Sequence, residues 1–260
     1  MRINFWKMSG AGNDFVVVSG LPRGKSGAAL AKKLCDRHFG VGADGLIVMS
    51  RDGRKTRLDY WNADGSAAFC GNGSRCGALW AARFRWVEGK KFKLETNRGI
   101  LDVELTAKGR AQVGMPSPKR FRLGRTLKAG GKSYDVNFTD TGVPHAVVFV
   151  PNINNIDVKS VGRELRFHKA FGRHGANVDF VQIQKNAVLL RTYERGVEDE
   201  TLACGTGVVA AAAVSFLLGK TKEHVKVKVR GGDTLHVSLL HGHTWLEGPG
   251  EIVYSGNILL

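Results

Sequence analysis

The sequence predicts an α+β protein of two pseudo-symmetric halves, each a curved, mixed and largely antiparallel sheet wrapped around a central helix. Three observations lead to this prediction. Motifs recur in the same order along the chain at a nearly constant spacing. Short β-branched segments separated by turn residues fill both halves, and a helix-like segment that follows a cysteine interrupts each of them.

The internal repeat rests on four pairs of residues that stand in the same order in both halves. Their offsets are 130, 133, 134 and 132 residues, in the pairs Gly12 and Gly142, Gly42 and Gly175, Cys70 and Cys204, and Arg98 and Arg230. A constant offset over more than a hundred residues indicates structurally equivalent halves. Cys70 and Cys204 are therefore predicted to occupy equivalent positions.

The predicted strands follow the β-branched segments in chain order. They are FVVV, GLIVM, RLDYW, FKLET and ILDVEL in the first half, and AVVFV, DFVQI, AVLLRTY, VKVKV and LHVSLL in the second. Amphipathic helices are predicted near residues 26–37 and 158–170, where Val161, Leu165 and Phe167 supply apolar positions. A further helix begins after each CG[NT]G motif. The second of these, VVAAAAVSFLL at 208–218, is apolar on all sides and should be a buried central helix.

The repeat also predicts the domain organisation. The first half is expected to cover residues 1–117 and the second residues 118–247, with a boundary near PSPKR at 116–120. Residues 248–260 lie beyond the last matched motif and are expected to return to the first half. If the halves meet across a cleft, the two equivalent cysteines face each other, and the active site is expected there.

Composition excludes several classes of protein. No apolar segment reaches the roughly 18 residues that a membrane span needs, and the N-terminus lacks a signal-peptide pattern, so a cytoplasmic protein without a membrane partner is expected. The net charge of +16 is scattered along the chain, which is typical of a solvated basic surface, and no nucleic-acid-binding motif accompanies it. Four irregularly spaced cysteines predict free thiols, neither a disulfide framework nor a metal site.

The two cysteines at helix starts suggest a reaction. A helix N-terminus carries unpaired N–H groups and a partial positive charge, which is expected to lower the pKa of Cys70 and Cys204. Glycines after each cysteine are expected to let an anion reach the backbone amides: Gly71, Gly73, Gly205 and Gly207. A thiolate and a thiol on opposite faces of one carbon could invert its configuration without a cofactor. Cys35 and Cys76 have no such setting and are predicted to be structural.

An ordered set of motifs covers the whole chain: KMSGAGNDFVVV, DRHFGVGADGLIVM, YWNADGSAAFCGNGSRC, TGVPHAVVFV, GANVDFVQI, YERGVEDETLACGTG and GPGEIVYSG. With them the chain resembles the diaminopimelate epimerase family of the cofactor-independent two-cysteine racemases. The resemblance implies interconversion of LL- and meso-diaminopimelate on the route to lysine and peptidoglycan, without metal or pyridoxal phosphate. A homodimer is the expected assembly.

The resemblance also implies roles for individual residues. The acid–base pair is expected to be Cys70 and Cys204, with His145 and Glu194 placed to tune the pKa of the thiols. The substrate-binding residues implied by the matched motifs are Asn13, Asn62, Gly71, Asn72, Asn177, Glu194, Arg195, Gly205 and Thr206. An arginine for the remote carboxylate and oxygens for the ammonium groups suit a substrate with an amino acid at each end.

Three departures from the family pattern bear on substrate range. Val143 and Gly45 stand where some members have Asn and Gln, and the segment 196–199 is one residue longer than in shorter members. A racemase of the same fold that acts on histidine or a proline derivative is therefore the alternative, and Arg195 argues against proline, which has no second carboxylate. A nucleic-acid-binding module would depend on the net charge alone, and steeply salt-dependent binding would distinguish it.

Overall fold

The structure is a computed structural model that describes residues 2–53, 55–185, 187–240 and 242–259. The chain forms two compact units, Met1–Gly114 with Glu247–Leu260, and Met115–Leu246. The elements in chain order are β1 (Arg2–Gly10), β2 (Asn13–Ser19), α1 (Gly27–Leu34), β3 (Gly45–Asp52), β4 (Lys55–Asn62), α2 (Gly71–Arg83), β5 (Lys91–Thr96), β6 (Gly99–Ala107), β7 (Arg110–Met115), β8 (Lys119–Ala129), β9 (Lys132–Asp140), β10 (Pro144–Phe149), α3 (Val158–Arg166), β11 (Asn177–Gln184), β12 (Ala187–Glu194), β13 (Asp199–Thr201), α4 (Gly205–Leu217), β14 (His224–Lys228), β15 (Thr234–Leu240), β16 (His243–Pro249) and β17 (Glu251–Leu259).

In the first unit the sheet alternates antiparallel and parallel pairs. β1 pairs antiparallel with both β2 and β17, so the end of the chain belongs to this unit. β2 and β3 are parallel and are joined through α1, whereas β3 and β4 are antiparallel. β4 and β5 are again parallel and are joined through α2, and β5 and β6 are antiparallel. Each parallel pair thus has a helix in its crossover, as parallel connections require.

The second unit repeats this order. β9 and β10 are antiparallel, β10 and β11 are parallel around α3, and β11 and β12 are antiparallel. β12 and β14 are parallel around α4, and β14 and β15 are antiparallel. The glycine pairs of the repeat also share a left-handed backbone, with φ of 86° at Gly12 and 97° at Gly142. The predicted α+β fold with equivalent halves is confirmed.

The central helices α2 and α4 have 13 residues each, and a cysteine precedes both. The residues of α4 from Gly207 to Ser215 are buried. The prediction of a helix buried throughout is wrong at its C-terminal end, where Phe216, Leu217 and Leu218 are 38%, 51% and 38% exposed. Among the described residues, no helix combines the length and apolar character that a membrane crossing needs.

The two amphipathic helices are shorter than predicted. Ser26 caps α1 by accepting a hydrogen bond from Ala29 N, and the helix ends before Cys35. Asp157 caps α3 in the same way through Ser160 N. Val161 and Leu165 of α3 are buried as predicted, but Phe167 lies after the helix and is 55% exposed. The guanidinium of Arg166 lies 4.4 Å from the Phe167 ring centre, so this ring is in a cation–π contact at the surface.

Candidate active site

Three of the predicted residues of the first unit meet at the start of α2. Cys70 is the N-cap residue of this helix, and its Sγ accepts a hydrogen bond from Gly73 N at 3.3 Å. The Cys70 thiol and the Asn72 Nδ2 both donate to Asn13 Oδ1, each at 3.5 Å. The Asn13 amide is held in that orientation because its Nδ2 donates to Asp44 Oδ2 at 2.6 Å. Asn13, Cys70 and Asn72 therefore form one connected group, with Gly71 between the last two.

Two acidic residues that sequence reasoning did not identify, Asp14 and Asp44, support Asn13. Burial raises the pKa of Asp14, but hydrogen bonds from Arg37 and Lys7 outweigh burial and lower that pKa to about 2. Burial and the charge of Asp14 raise the pKa of Asp44. Arg37 bridges the two carboxyl groups, with Nη2 at 2.9 Å from Asp14 Oδ1 and from Asp44 Oδ1. This ionic cluster fixes the turn that carries Asn13.

Asn62 lies at the end of β4, in a group of its own. Its Oδ1 accepts a hydrogen bond from the Tyr60 hydroxyl, and its Nδ2 donates to Ser66 Oγ, both at 2.9 Å. Gly45 lies opposite Asn62 in the β3–β4 ladder. A Cβ at Gly45 would lie 2.4 Å from the Tyr60 ring and 2.7 Å from Trp61 O. The glutamine that some relatives have at this position has no room here, because the Tyr60 ring occupies the space.

The second unit brings Cys204, Thr206 and His145 together at the start of α4. Cys204 is the N-cap residue, with an extended backbone like that of Cys70. Its Sγ lies 3.4 Å from Thr206 Oγ1, and the same hydroxyl lies 3.0 Å from His145 Nε2. His145 is fully buried, and its ring is joined to the Cys204 thiol through one hydroxyl group.

Asp179 is a member of this group that the sequence analysis missed. Its Oδ2 lies 2.7 Å from His145 Nδ1, and its Oδ1 accepts a hydrogen bond from Thr192 Oγ1 at 2.7 Å. The Asp179 side chain is fully buried within β11. The sequence feature that could have identified Asp179 is its position inside the apolar strand NVDFVQIQ. A buried charge needs a partner, so a carboxylate in such a strand indicates a polar group beside it.

Asn177, Glu194 and Arg195 lie beside this group. Asn177 Oδ1 accepts a hydrogen bond from Arg195 N at 2.8 Å, and its Nδ2 donates to Pro144 O at 3.1 Å. This orientation also directs Asn177 Nδ2 toward His145 Nε2, at 3.5 Å. Glu194 Oε2 accepts from Thr201 Oγ1 at 2.9 Å, across the β12–β13 hairpin.

The longer segment at 196–199 forms the turn of that hairpin. The turn is anchored by Glu198, whose Oε1 accepts hydrogen bonds from the mostly buried Arg166 guanidinium, at 2.9 Å from Nη2. Tyr193 donates its hydroxyl proton to Glu198 O at 2.8 Å. Glu194 stays directly opposite Asp199 in the ladder. The additional residue is therefore accommodated in the turn, while the pairing that leads to Cys204 remains regular.

The expected lowering of the Cys204 pKa is wrong. Burial, followed by the negative charges of Glu194 and Asp179, raises the pKa of this thiol well above its usual value of 9.0. The hydrogen bond between Cys204 and Thr206 and the one from Gly207 N act in the opposite direction and are outweighed. The helix start alone does not make Cys204 a thiolate, because its side chain is only 7% exposed and two carboxyl groups lie close by.

The starts of α2 and α4 differ in what lies beneath them. In the β2–β3 and β10–β11 pairs, Phe15 lies opposite Gly45 and His145 lies opposite Asn177. The strand registers therefore match Phe15 with His145 and, two residues further along β3 and β11, Ile47 with Asp179. A Cβ at Gly73 would make only ordinary contacts of 3.5 Å with Phe15, Ile47 and Cys70. A Cβ at Gly207 would lie 2.5 Å from Asp179 Oδ1, so this glycine makes room for a carboxylate of the protein itself.

Cys35 and Cys76 are buried free thiols, as predicted. Burial raises the pKa of each from 9.0 to about 12. Cys76 lies beside Gly10 and Gly250, where a Cβ would come within 3.0 and 3.4 Å of its Sγ. Cys35 lies near the ionic cluster of Asp14, Asp44 and Arg37, and Cys76 lies one turn after Asn72 in α2, but both are buried free thiols and we keep the structural role predicted for them.

These two thiols predict a loss of stability in alkali. A thiol with a pKa near 9 when unfolded and about 12 when folded contributes stability that is complete below pH 9 and is lost as the pH rises toward 12. At pH 10 each thiol should lower the free energy of unfolding by about 1.4 kcal/mol relative to pH 8. Urea unfolding at both pH values measures this loss. In Cys35→Ala only Cys76 should still contribute to the decrease in the free energy of unfolding. An unchanged pH dependence in Cys35→Ala would contradict the assignment.

Within the described residues, the structure contains no group of three or more His, Cys, Asp or Glu side chains arranged to hold a metal ion. The polar atoms at both helix starts are thiols, amides, a hydroxyl and one imidazole. Such groups suit hydrogen bonding to a zwitterion and proton transfer.

Comparison with known proteins identifies relatives over nearly the whole chain. The family profile described as diaminopimelate epimerase matches residues 5–121 and 138–253. The diaminopimelate epimerase of Chlorobaculum tepidum is 42% identical, and the alignment covers 97% of this chain and 100% of the relative. That of Aquifex aeolicus is 40% identical, with 98% of each chain covered.

Solved structures of lower identity share the fold. A phenazine biosynthesis protein of the PhzF family from Bacillus anthracis has a TM-score of 0.78 at 15% identity and covers 100% of both chains. A probable proline racemase from Agrobacterium radiobacter has a TM-score of 0.76 at 18% identity, with 99% of this chain and 93% of that chain covered. The resemblance found in the sequence, the fold class and the assignment as an isomerase are thereby confirmed. The chain belongs to the diaminopimelate epimerase family.

Proposed function

We propose that this chain interconverts LL- and meso-2,6-diaminopimelate by proton transfer at the α-carbon, as a step in the biosynthesis of lysine and peptidoglycan precursors, and that Cys70 and Cys204 are its acid–base pair. The observation that carries the proposal is the equivalent placement of the two thiols. Each is the N-cap residue of a 13-residue central helix in its own unit of a repeated fold, within a chain of this family. Inversion requires two such groups, one for each face of the carbon.

The substrate carboxylate next to the reacting carbon is placed at the helix starts, where free N–H groups favour an anion. Gly71, Asn72, Gly205 and Thr206 supply these groups in the proposal. The α-proton is far less acidic than a thiol, so the carbanion must be stabilised by preorganised dipoles in a site that excludes water. The site must therefore exclude water while the proton is transferred.

The two thiols have different roles in the resting enzyme. Cys204 is proposed as the thiol that returns a proton, because burial and the charges of Glu194 and Asp179 raise its pKa. Cys70 then removes the proton from the opposite face, and in the reverse reaction the roles exchange.

The remote end of the substrate is assigned to Asn62, Asn177, Glu194 and Arg195. Glu194 and the asparagine oxygens accept hydrogen bonds from ammonium groups. Arg195 contributes its backbone N–H to Asn177, and its guanidinium has no hydrogen bond or ion pair with other described residues of its unit. A half-buried guanidinium of this kind is available for a bidentate bond to the remote carboxylate.

Replacing Arg195 by glutamine should raise KM for diaminopimelate by about 10- to 100-fold, the effect of losing one charge-assisted hydrogen bond. Steady-state kinetics with purified diaminopimelate measures this. Lys159→Gln removes another cation of the same unit, one that is exposed and paired with Asp199, and should leave KM unchanged. An unchanged KM in Arg195→Gln would remove the residue from the substrate site.

The substrate assignment is tested by α-hydrogen exchange in deuterated water with a panel of amino acids. Exchange and inversion with diaminopimelate, and neither with histidine, proline or 4-hydroxyproline, is the expected result. Exchange with one of the other amino acids but not with diaminopimelate would replace the proposed function by the alternative of a related racemase. The comparison of substrates is informative because Tyr60 occupies the space that a side chain at Gly45 would need, so the glutamine of some relatives has no place here.

Location and assembly follow from the same proposal. Two catalytic thiols need a reducing compartment, so we place the enzyme in the cytoplasm, without nucleic-acid or membrane partners. We also propose a homodimer, and support for it comes from β17, where Val253 and Leu259 are 60% and 70% exposed. Exposed apolar side chains of this kind on one strand are typical of a surface that a second chain covers. Analytical ultracentrifugation tests this assembly.

A further inference from the structure

A buried, hydrogen-bonded pair of a histidine and an aspartate lies beneath Cys204, and the fold itself does not require it. His145 and Asp179 are both fully buried, with Nδ1 and Oδ2 at 2.7 Å. At the matching positions of the first unit the same strands carry Phe15 and Ile47, which are also fully buried. Because apolar side chains fill the matching positions of the first unit, and a buried polar group costs free energy unless it is hydrogen-bonded, packing does not explain the pair.

The hydrogen bonds around the pair fix the direction of each donor. Thr192 Oγ1 donates to Asp179 Oδ1, which leaves Oδ2 to accept from His145 Nδ1. With its proton on Nδ1, the neutral His145 ring can only accept at Nε2. Two groups point their donors at that atom, Thr206 Oγ1 at 3.0 Å and Asn177 Nδ2 at 3.5 Å. Thr206 Oγ1 can in turn accept from the Cys204 thiol at 3.4 Å.

The geometry points to Asp179 as a positioning residue that holds His145 as the proton acceptor for Cys204, with the Thr206 hydroxyl as the bridge between them. In this step the Cys204 S–H bond breaks and its proton goes to Thr206 Oγ1, whose own proton passes to His145 Nε2. The products are a thiolate and an imidazolium, and Asp179 remains a carboxylate that accepts from Nδ1. No further reactant is needed.

Such a chain solves a problem that burial creates. An isolated thiol in this position resists ionisation, because burial and two nearby negative charges raise its pKa. A transfer of the proton to His145 produces the opposite charge nearby and keeps the total charge of the buried group constant. In one direction of the proposed reaction Cys204 must act as a base. The inference rests on the proposed function only in giving the proton path this use. The proton path itself concerns the free enzyme.

Asp179→Asn separates this inference from a simple effect of charge. Thr192 would still donate to the remaining oxygen at residue 179, so the new amide would donate to His145 Nδ1 and move the ring proton to Nε2. His145 could then no longer accept from Thr206. Because the inferred transfer is internal, it sets the fraction of Cys204 present as thiolate near neutral pH, and the inference predicts that Asp179→Asn lowers this fraction by about tenfold or more. If Asp179 acted only as a nearby negative charge, its removal would raise that fraction.

The thiolate fraction is measured on the full chain from the rate of iodoacetamide alkylation of the Cys204 peptide near neutral pH, read by mass spectrometry. The titratable groups that face Cys204 in its unit are His145 on β10, Asp179 on β11 and Glu194 on β12, so Glu194 is left unchanged in every variant. His145→Gln supplies the matched background. Without the imidazole, adding Asp179→Asn should raise the alkylation rate, because only the charge effect remains.

A spectroscopic measurement keeps the inference testable if a variant does not fold. In the unmodified protein near neutral pH, nitrogen-15 NMR should show the neutral His145 ring protonated at Nδ1 and not at Nε2. In Asp179→Asn the two nitrogens should exchange these states. A proton on Nε2 of the neutral ring in the unmodified protein, or an alkylation rate that stays the same or rises in Asp179→Asn, would overturn the inference. Neither measurement involves substrate, so its outcome is independent of which amino acid the enzyme inverts.

Discussion

Replacing either Cys70 or Cys204 by serine is expected to lower the rate of diaminopimelate epimerisation by about 10²- to 10⁴-fold, the usual contribution of one general acid or base. Both variants should fold, because serine is a preferred N-cap residue and each cysteine occupies the N-cap of its helix. The rate is measured as the approach to equilibrium from the LL isomer, and circular dichroism reports the fold. Cys35→Ala is the matched control and should retain the rate.

The remaining thiol of each variant gives a sharper test. A single base can remove the α-proton from its own face and return deuterium to that face. We therefore expect each serine variant to retain slow α-hydrogen exchange with only one of the two configurations, and the two variants to prefer opposite configurations. Near-normal inversion by either variant, or the same preference in both, would contradict a mechanism with one thiol on each face.

The second large effect is expected at Gly207. An alanine there would bring its Cβ to 2.5 Å from Asp179 Oδ1, and that oxygen is held by Thr192. Overpacking of this kind costs about 1–3 kcal/mol, and displacement of Asp179 from His145 should also lower kcat. Thermal or urea unfolding measures the first effect and steady-state kinetics the second.

Gly73 is the matched control, since it occupies the same position in the CG[NT]G motif of the first unit. Its added Cβ would make contacts of 3.5 Å only, so Gly73→Ala should keep the fold and gain about 0.5–1 kcal/mol from helix propensity. If the absence of a side chain there serves the approach of the substrate carboxylate, the variant should show a raised KM. Equal loss of stability in the two variants would contradict the different surroundings assigned to the two glycines.

Much of the fold could be predicted because its signals are local. The strands from FVVV to LHVSLL alternate or concentrate apolar residues, and the structure places a strand at each of them. β8 was missed for a physical reason. Nine of its eleven residues are exposed and only Leu127 and Ala129 are buried, so it has no apolar periodicity to recognise. The C-terminal end of α4 was predicted as buried because composition alone does not show where a helix leaves the core.

For the candidate site, the sequence indicated the residue types and the structure supplied the contacts. The repeat and the family motifs predicted that Cys70 and Cys204 are equivalent, and both prove to be N-cap residues. The difference between their surroundings was not predictable from the motifs, since Asp179 reads as one residue of a strand and Phe15 and His145 lie far from either cysteine in sequence. Tertiary contact, which motif spacing does not contain, determines the pKa of a thiol.

The different supports beneath α2 and α4 have a consequence for how such an enzyme can change over evolutionary time. In an assembly of two identical subunits, any substitution beneath one helix appears beneath the other, so Phe15 and Ile47 could not coexist with His145 and Asp179 at matching positions. A chain that encodes both halves separately removes this constraint. Each thiol can then acquire its own neighbours by independent mutations, and a symmetric precursor could become an enzyme whose two bases are chemically distinct.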